Sequence, residues 1–438
     1  MKSEWQQVQV AEVCDLIVDC INKTAPTVNY PTPYKMIRTS NIRNGKIDLS
    51  NTKYVTKEIY EKWTRRTTVE PNDVLLTREA PLGEVGIIRR KDTLFLGQRI
   101  MQYRANTKML DPYFLFYTFC SQELQNQFYA HSGSGSVVDH IRVGDCLKFL
   151  IPLPPLPEQK AIARILGTLD DKIELNQQMN RTLEATARAI FKSWFVDFDP
   201  VRALIDGRQP EGMDAQTAAL FPDVFEDSEL GMIPKGWKVR AIEELGEVIC
   251  GKTPPTKNPE NYGDFMPFIT IPDMHGQVFA TETKKYLSFK GVQSQTKKTL
   301  PPGSICVSCI ATPGLVVITD EPSQTNQQVN SLVPSKQTST FFAYFSLCEV
   351  ANEIKMRGSG GSVFSNLNKG QFSILPVIIP SPSIQIKYQK LVEPFFKQLL
   401  INNKKSRTLA NLRDTLLPKL MSGELRVVEA EKMVEDVT

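Results

Sequence analysis

At 438 residues the chain is long for one hydrophobic core and suggests about three domains at ordinary domain size. Hydrophobic residues at 41% and charged residues at 23% give a globular composition, which excludes a wholly disordered or fibrous chain. A formal charge of +4 is too small for strong bulk attraction to nucleic acid, so any such binding must come from local patches.

The opening, Met1-Lys2-Ser3-Glu4-Trp5-Gln6-Gln7, lacks the apolar core of a secretory signal, and no stretch approaches the roughly 18 apolar residues of a membrane span; a cytoplasmic chain is expected. Eight scattered cysteines are far too sparse for a disulfide-stapled domain and read as reduced thiols. Residues 1–150 carry 20 Lys+Arg against 16 Asp+Glu. Within them Val74-Leu75-Leu76-Thr77 and Gly86-Ile87-Ile88 read as strands, and Pro112 to Tyr129 as helix.

A long helix follows. Ile162, Leu166, Leu169, Ile173, Asn176, Asn180, Leu183, Ala187, Ile190 and Trp194 alternate spacings of four and three, the rhythm of a coiled-coil seam. Residues 201–234, with two Lys+Arg against seven Asp+Glu, look like an acidic, solvated linker. Residues 235–380 lean basic again, 14 against 11, with Ser304-Ile305-Cys306-Val307 and Leu315-Val316-Val317-Ile318 as strands and Ser339 to Met356 as helix. A second, less regular stripe ends the chain: Tyr388, Val392, Phe395, Leu399, Asn402, Ser406, Leu409, Arg413, Leu416 and Leu420, with Pro394 and Pro418 near its ends.

The two halves repeat. At a constant offset of 226, Gly135-Ser136-Val137 becomes Gly361-Ser362-Val363, Gln159 becomes Gln385, and Arg181-Thr182-Leu183 becomes Arg407-Thr408-Leu409. Upstream the offset drifts to 231, pairing Pro71, Ala80 and Gly83 with Pro302, Ala311 and Gly314, and Thr39 with Thr270. At 229, Lys23-Thr24 meets Lys252-Thr253. The chain is a tandem of two units, each a variable globular block followed by a long helix. Asn176 and Asn402, equivalent on the seam, are candidates for fixing helix register.

Patterns suggesting catalysis fail on context. Gly246 to Thr253 matches the phosphate loop G-x-x-x-x-G-K-[ST], but Pro254 and Pro255 follow at once where a helix must begin, and the first copy lacks both glycines. Cys306-Val307-Ser308-Cys309 has no second pair to complete a zinc site. His131, His140 and His275 show no ligand spacing. Asp111-Pro112-Tyr113 is similar to the D-P-P-Y of amino-methyltransferases but lacks a Pro and a glycine-rich cofactor loop. No catalytic or metal site is assigned, which leaves an ATPase or methyltransferase as the disfavoured enzymatic reading.

Two diverged basic blocks held by a rod suit two separated sites on duplex DNA. Lys23, Thr24, Lys252 and Thr253 sit in Pro-bounded loops suited to phosphate. Arg38, Ser40, Asn41 and Arg43 combine charge with groups able to read base edges. Ser134, Arg357 and Ser359 lie in Gly-Ser loops whose backbone can approach an anion, and Arg78, Thr270, Lys284 and Lys285 complete the candidate set. The competing structural reading is a coiled-coil scaffold without specific DNA readout.

Ile151-Pro152-Leu153-Pro154-Pro155-Leu156-Pro157-Glu158-Gln159-Lys160, the helix exit Phe191-Lys192-Ser193-Trp194-Phe195-Val196-Asp197-Phe198, and Leu416 to Leu425 strongly resemble the specificity subunit of type I restriction-modification systems. The resemblance implies an α+β chain: two mixed α/β target-recognition domains separated by two long antiparallel coiled-coil helices, related by a pseudo-two-fold repeat. On it the chain divides into a first recognition domain at 1–156, a first helix at 157–198, the acidic linker at 199–235, a second domain at 236–381, a second helix at 382–425 and a tail at 426–438. Ile162, Leu166, Leu169, Ile173, Asn176, Leu183, Ile190, Phe395, Leu399, Asn402, Leu409 and Leu416 are then the helix seam. It further implies a non-catalytic subunit reading a bipartite duplex target, one copy per complex, with two modification subunits and added restriction subunits. S-adenosylmethionine, ATP and Mg would belong to those partners. One departure is Ser383-Ile384 in place of Pro157-Glu158 at the second helix start.

Overall fold

The computed structural model describes residues 5–131, 139–310, 312–358 and 367–436. Two compact units form, Met1–Leu175 with Ser406–Thr438 and Asn176–Lys405. The class is α+β, with two long helices, Leu156–Phe195 and Pro382–Met421, of 40 residues each. Each unit contains a mixed α/β domain and half of each long helix.

In the first unit an antiparallel sheet runs in the order Cys14–Asp19, Ile100–Ala105, Val74–Arg78, Leu82–Ile87. The expected helix 112–129 is two helices, Pro112–Cys120 and Gln122–Ala130. Asp111 caps the first, its Oδ1 accepting from Tyr113 and Phe114 N–H, and Ser121 starts the second. Phe114 to Phe119 are all buried, which is why this segment shows no amphipathic period. Gln6–Gln9 pairs with Leu150–Leu153 and leads the chain into the first long helix.

The second unit repeats the order with Gly246–Cys250, Val329–Pro334, Ile305–Ser308 and Val316–Thr319, and adds Phe279–Ala280 at the edge. Helix Thr340–Gly358 replaces the two helices, and Lys238–Ala241 pairs with Pro376–Ile379 before the second long helix. Strand register corrects one sequence equivalence. Ile37 lies beside Leu96 as Ile269 lies beside Thr325, both parallel. Arg38 and Thr270 are therefore equivalent, not Thr39 and Thr270. Each donates its backbone N–H to a side chain three residues on, Asn41 Oδ1 at 2.9 Å and Asp273 Oδ2 at 2.8 Å.

The glutamine of the Pro-rich helix start holds the domain onto the helix in both units. Gln159, fully buried, donates to Pro154 O at 2.8 Å and Met109 O at 3.0 Å and accepts from Asp111 N at 2.8 Å. Gln385 donates to Pro380 O and accepts from Ser339 N, both at 3.3 Å. Asp111 and Ser339 both directly precede the main domain helix of their unit.

Within the first unit Ile162, Leu166, Leu169 and Ile173 are buried in one cluster with Leu409, Leu416 and Leu420. Arg413, a charge on the seam, donates to Asp170 Oδ1 at 2.7 Å, and the Tyr117 hydroxyl donates to Asp170 Oδ2 at 2.7 Å. In the second unit Tyr388 OH donates to Ala187 O at 3.0 Å and Asn402 Nδ2 to Asn180 Oδ1 at 2.9 Å, so partner numbers fall along one helix as they rise along the other. The helices are antiparallel. Leu399 is buried, while Leu183, Ile190 and Phe395 are half-buried. Phe396 takes the core place next to Phe395 because this half of the helix also packs on the domain, stacked on Phe341 at 4.0 Å between centroids.

The expected Asn176–Asn402 register pair is replaced by Asn402–Asn180, extended by Gln398 donating to Asn402 at 2.8 Å and Asn180 donating to Asn403 at 2.6 Å. Asn402 is buried, whereas Asn176 is only half-buried. Antiparallel pairing sets each residue against its partner in space, not against its repeat copy. Asn402→Leu alone is expected to destabilise the second unit by about 1–3 kcal/mol, since it strands the Asn180 and Gln398 amides. Adding Asn180→Leu should recover most of that loss in a denaturation double-mutant cycle; equal additive losses would refute the pairing.

Residues 199–235 are not a solvated linker. Helices Asp199–Ile205 and Ala215–Ala218 and the hairpin Phe225–Ser228 with Gly231–Pro234 fold onto the second unit, where Val201, Phe221 and Ile233 join the core with Trp194 and Trp237. The acidic residues all face outward, so charge density hid widely spaced apolar anchors. The tail likewise forms a helix, Val427–Glu435, burying Ala430 and Val434 in the first unit. Among the described residues no helix is long and apolar enough to cross a membrane.

Candidate nucleic-acid interface

In each unit the chain leaves the first strand of the main sheet and makes a long excursion, over 20–73 before the next strand in the first unit and over 251–304 in the second, where it touches the main sheet only at the edge strand Phe279–Ala280. Together with one later strand in each unit, these excursions build a second, smaller sheet. In the first unit its order is Lys53–Tyr54, Lys35–Ile37, Leu94–Leu96; in the second it is Tyr262–Gly263, Tyr286–Leu287, Met266–Ile269, Gln324–Thr325. Each has a core of its own, Ala25, Met36, Val55 and Phe95 in one and Met266, Phe268, Leu287 and Val292 in the other.

The positive charge of both blocks sits on these lobes. Residues 23–70 hold ten Lys+Arg against four Asp+Glu, leaving ten against twelve in the rest of 1–150. Residues 252–300 hold seven against four, leaving seven against seven in the rest of 235–380. The net positive charge of each block is thus carried by its lobe and not by its main sheet.

Most candidate residues fall on the lobes, in unequal states. Lys23 and Lys252 are exposed, and their backbones are pinned: Trp63 Nε1 donates to Lys23 O and Gln295 Nε2 to Lys252 O. Thr24 and Thr253 each donate a hydroxyl to Gln98 or Gln327, residues that match at the same offset of 229. Ser40, Arg43, Lys284 and Lys285 are exposed. Arg38 is half-buried and donates from NH2 to Asn51 O at 2.9 Å.

Two candidates are structural. Asn41 is buried, its Oδ1 held by Arg38 N and its Nδ2 by Asp48 O and Asn51 O, so no amide edge is left for a base. The Thr270 hydroxyl donates to Asp273 Oδ2 at 2.6 Å. Both serve the turn that closes the lobe's central strand. Arg78 lies on the main sheet and donates to Ile141 O at 2.9 Å, away from the lobe's own strands. Ser134, Ser359 and the Arg357 side chain lie outside the described residues.

The phosphate-loop match is strand Gly246–Cys250 followed by an extended loop, and the next helical turn is Pro259–Asn261. A side chain at Gly251 would meet Asn326 O at 2.1 Å, so this glycine serves close strand approach. Cys306 and Cys309 are buried, and burial pushes their thiols up to about 12 and about 11. The lobes also carry Lys53, Lys57, Lys62, Arg65 and Lys290 and the exposed Phe265 and Phe289, none of which has a motif that singles it out in the sequence.

A domain-to-helix ion pair recurs with its sign reversed. Arg89 reaches Asp171 at 2.5 Å and Glu174 at 3.5 Å on the first helix; Asp320, 231 residues on, meets Lys404 at 2.9 Å on the second. Each lobe is thus carried on a domain locked to its own helix pair.

The family model described as "Type I restriction modification DNA specificity domain" matches residues 2–185 and 234–411, one match per repeat. The chain is 39% identical over 376 residues to the HindI specificity subunit of Haemophilus influenzae, covering 76% of this chain and 82% of that one. To the MjaIX specificity subunit of Methanocaldococcus jannaschii it is 26% identical over 409 residues, covering 87% and 86%. The crystal structure of a type I system S subunit from M. genitalium matches its fold with a TM-score of 0.57 at 17% identity, covering 95% and 96%.

Proposed function

Since the chain belongs to the type I restriction-modification DNA specificity family, we propose that each of its two units reads one half of a bipartite duplex target. The observation that carries this reading is the pair of basic lobes, alike in fold and different in side chains. Shared strand order gives both the same way of meeting a duplex, and divergent side chains give each a different sequence. On this reading the long helices set the number of unread base pairs and, with neighbouring surfaces, dock two modification subunits. Those partners carry S-adenosylmethionine and methylate, restriction subunits add ATP- and Mg-dependent steps, and this chain supplies recognition without catalysis.

Methylome sequencing of cells carrying the complete system tests it. One bipartite motif is expected, and exchange of residues 1–150 for those of another family member should change a single half-site. Change in both half-sites overturns the modular reading, and absence of a bipartite footprint by the assembled complex favours a scaffold. Lys284→Ala with Lys285→Ala should weaken all duplexes alike and lower the salt slope of binding by about 2. A sequence-selective loss would instead place these lysines on bases.

A further inference from the structure

The second unit's lobe carries an apolar feature that its charge does not explain. Phe265 and Phe289 are 56% and 61% exposed, with ring centroids 5.4 Å apart and planes at 85°. Single exposed apolar side chains are ordinary, but two adjoining phenylalanines make a patch that water disfavours.

The scaffold under the pair is tight. Phe265 N donates to Leu287 O at 3.0 Å, and Phe289 is the first residue of a short helix, Phe289–Gln293. Ser288 caps that helix at Gly291 N, its own N–H reaches Asn261 O at 3.0 Å, and its hydroxyl donates to Glu260 O. At Gly291 an added Cβ would sit 2.0 Å from Asn261 O, so the helix lies directly on the 259–261 turn. The backbones bearing both rings are held in place while the rings face solvent. The same lobe exposes Lys257, Lys284, Lys285 and Lys290, the last of them paired with Glu260 at 2.7 Å.

The pair has no counterpart in the first unit. Tyr54 pairs with Lys35 as Tyr286 pairs with Pro267, which makes Lys57 the equivalent of Phe289 and Pro33 that of Phe265. A feature of the shared scaffold would recur; one that distinguishes two half-sites would not.

We propose that Phe265 and Phe289 contact the apolar surface of the bases in the half-site read by the second unit, and so help to determine its sequence. The contact surface is a thymine methyl or the face of an unstacked base, reached while the flanking lysines hold phosphates. This rests on the DNA-recognition reading above. The lysines favour a duplex as occupant over a second copy of this chain, whose matching lobe is equally basic.

The test uses the chain assembled with its modification subunits, on its methylome-defined target and on a scrambled duplex. Phe265→Ala with Phe289→Ala should weaken target binding by about tenfold or more and leave scrambled binding and the salt slope unchanged. Phe289→Leu should retain most affinity. Replacing thymines of that half-site by deoxyuridine should reproduce the loss if methyls are the contact, and 2-aminopurine fluorescence should rise with the parent and not with the variant if a base is unstacked. Unchanged target affinity overturns the proposal, as does loss at the first unit's half-site alone. Failed assembly with modification subunits, or a change only in self-association, assigns the patch to a protein partner and also overturns it. A parent complex with no preference for a bipartite target defeats the underlying reading, a result visible before any variant is made.

Discussion

Gln159→Met is expected to destabilise the first unit by about 2–4 kcal/mol, because one fully buried amide satisfies two carbonyls and one N–H, and its bond to Pro154 O is wholly buried. Methionine fills nearly the same space, so the loss reports hydrogen bonding and not a cavity. Gln385→Met removes two longer bonds of 3.3 Å and should cost about 1–2 kcal/mol. Chemical denaturation of the full chain checks the magnitudes, and hydrogen exchange at Asp111, whose N–H the glutamine holds, checks the location. Equal losses at both positions would refute the assignment. The functional consequence is local: the amide fixes the domain helix to the first turn of the long helix, so slackening it should lower affinity for one half-site before the other.

Arg413→Leu is expected to cost about 2–4 kcal/mol, less than a fully dry ion pair since its side chain retains 26% exposure. Burial lowers the guanidinium's affinity for its proton, but the hydrogen bond and charge of Asp170 outweigh it and the group stays cationic. Removing it leaves Asp170 with the Tyr117 hydroxyl and the weaker influence of the Lys46 charge, in a site where the carboxylate is 14% exposed. Joint Asp170→Leu and Arg413→Leu should restore most of the stability, because the half-buried guanidinium and its most buried carboxylate partner are then removed together, leaving only the exposed Asp414 without its ion pair. Thermal unfolding of the three variants decides it. A double variant as unstable as the single one would mean that helix packing, and not charge compensation, sets the effect.

The seam shows why a one-dimensional reading went wrong in particular places. Arg413 looked like a flaw in the apolar stripe; its partner Asp170 lies 243 residues away and adjoins the seam on the other helix. Asn176 and Asn402 are equivalent under the repeat, yet antiparallel helices bring Asn180 to Asn402. Repeat symmetry relates residues that do the same thing, and antiparallel pairing relates residues that touch. The candidate site divides in the same way. Asn41 has the chemistry of an adenine reader, but its three hydrogen bonds close a turn. Phe265 and Phe289 have the chemistry of core residues, but a strand end and a capped turn leave them on the surface.

Periodicity and internal repetition in the linear chain were enough for the two-unit plan, both long helices and four of the main-sheet strands, while the motifs at the helix entry and exit carried the resemblance to the family. Those features depend on residues near one another in sequence, or on the same pattern written twice. Folding alone could reveal the packed acidic segment, the identity of the amide pair and the gathering of the basic stretches into two small lobes with cores of their own. Each of these depends on which distant side chains compete for the same buried volume or hydrogen-bond partner, a competition that has no local signature.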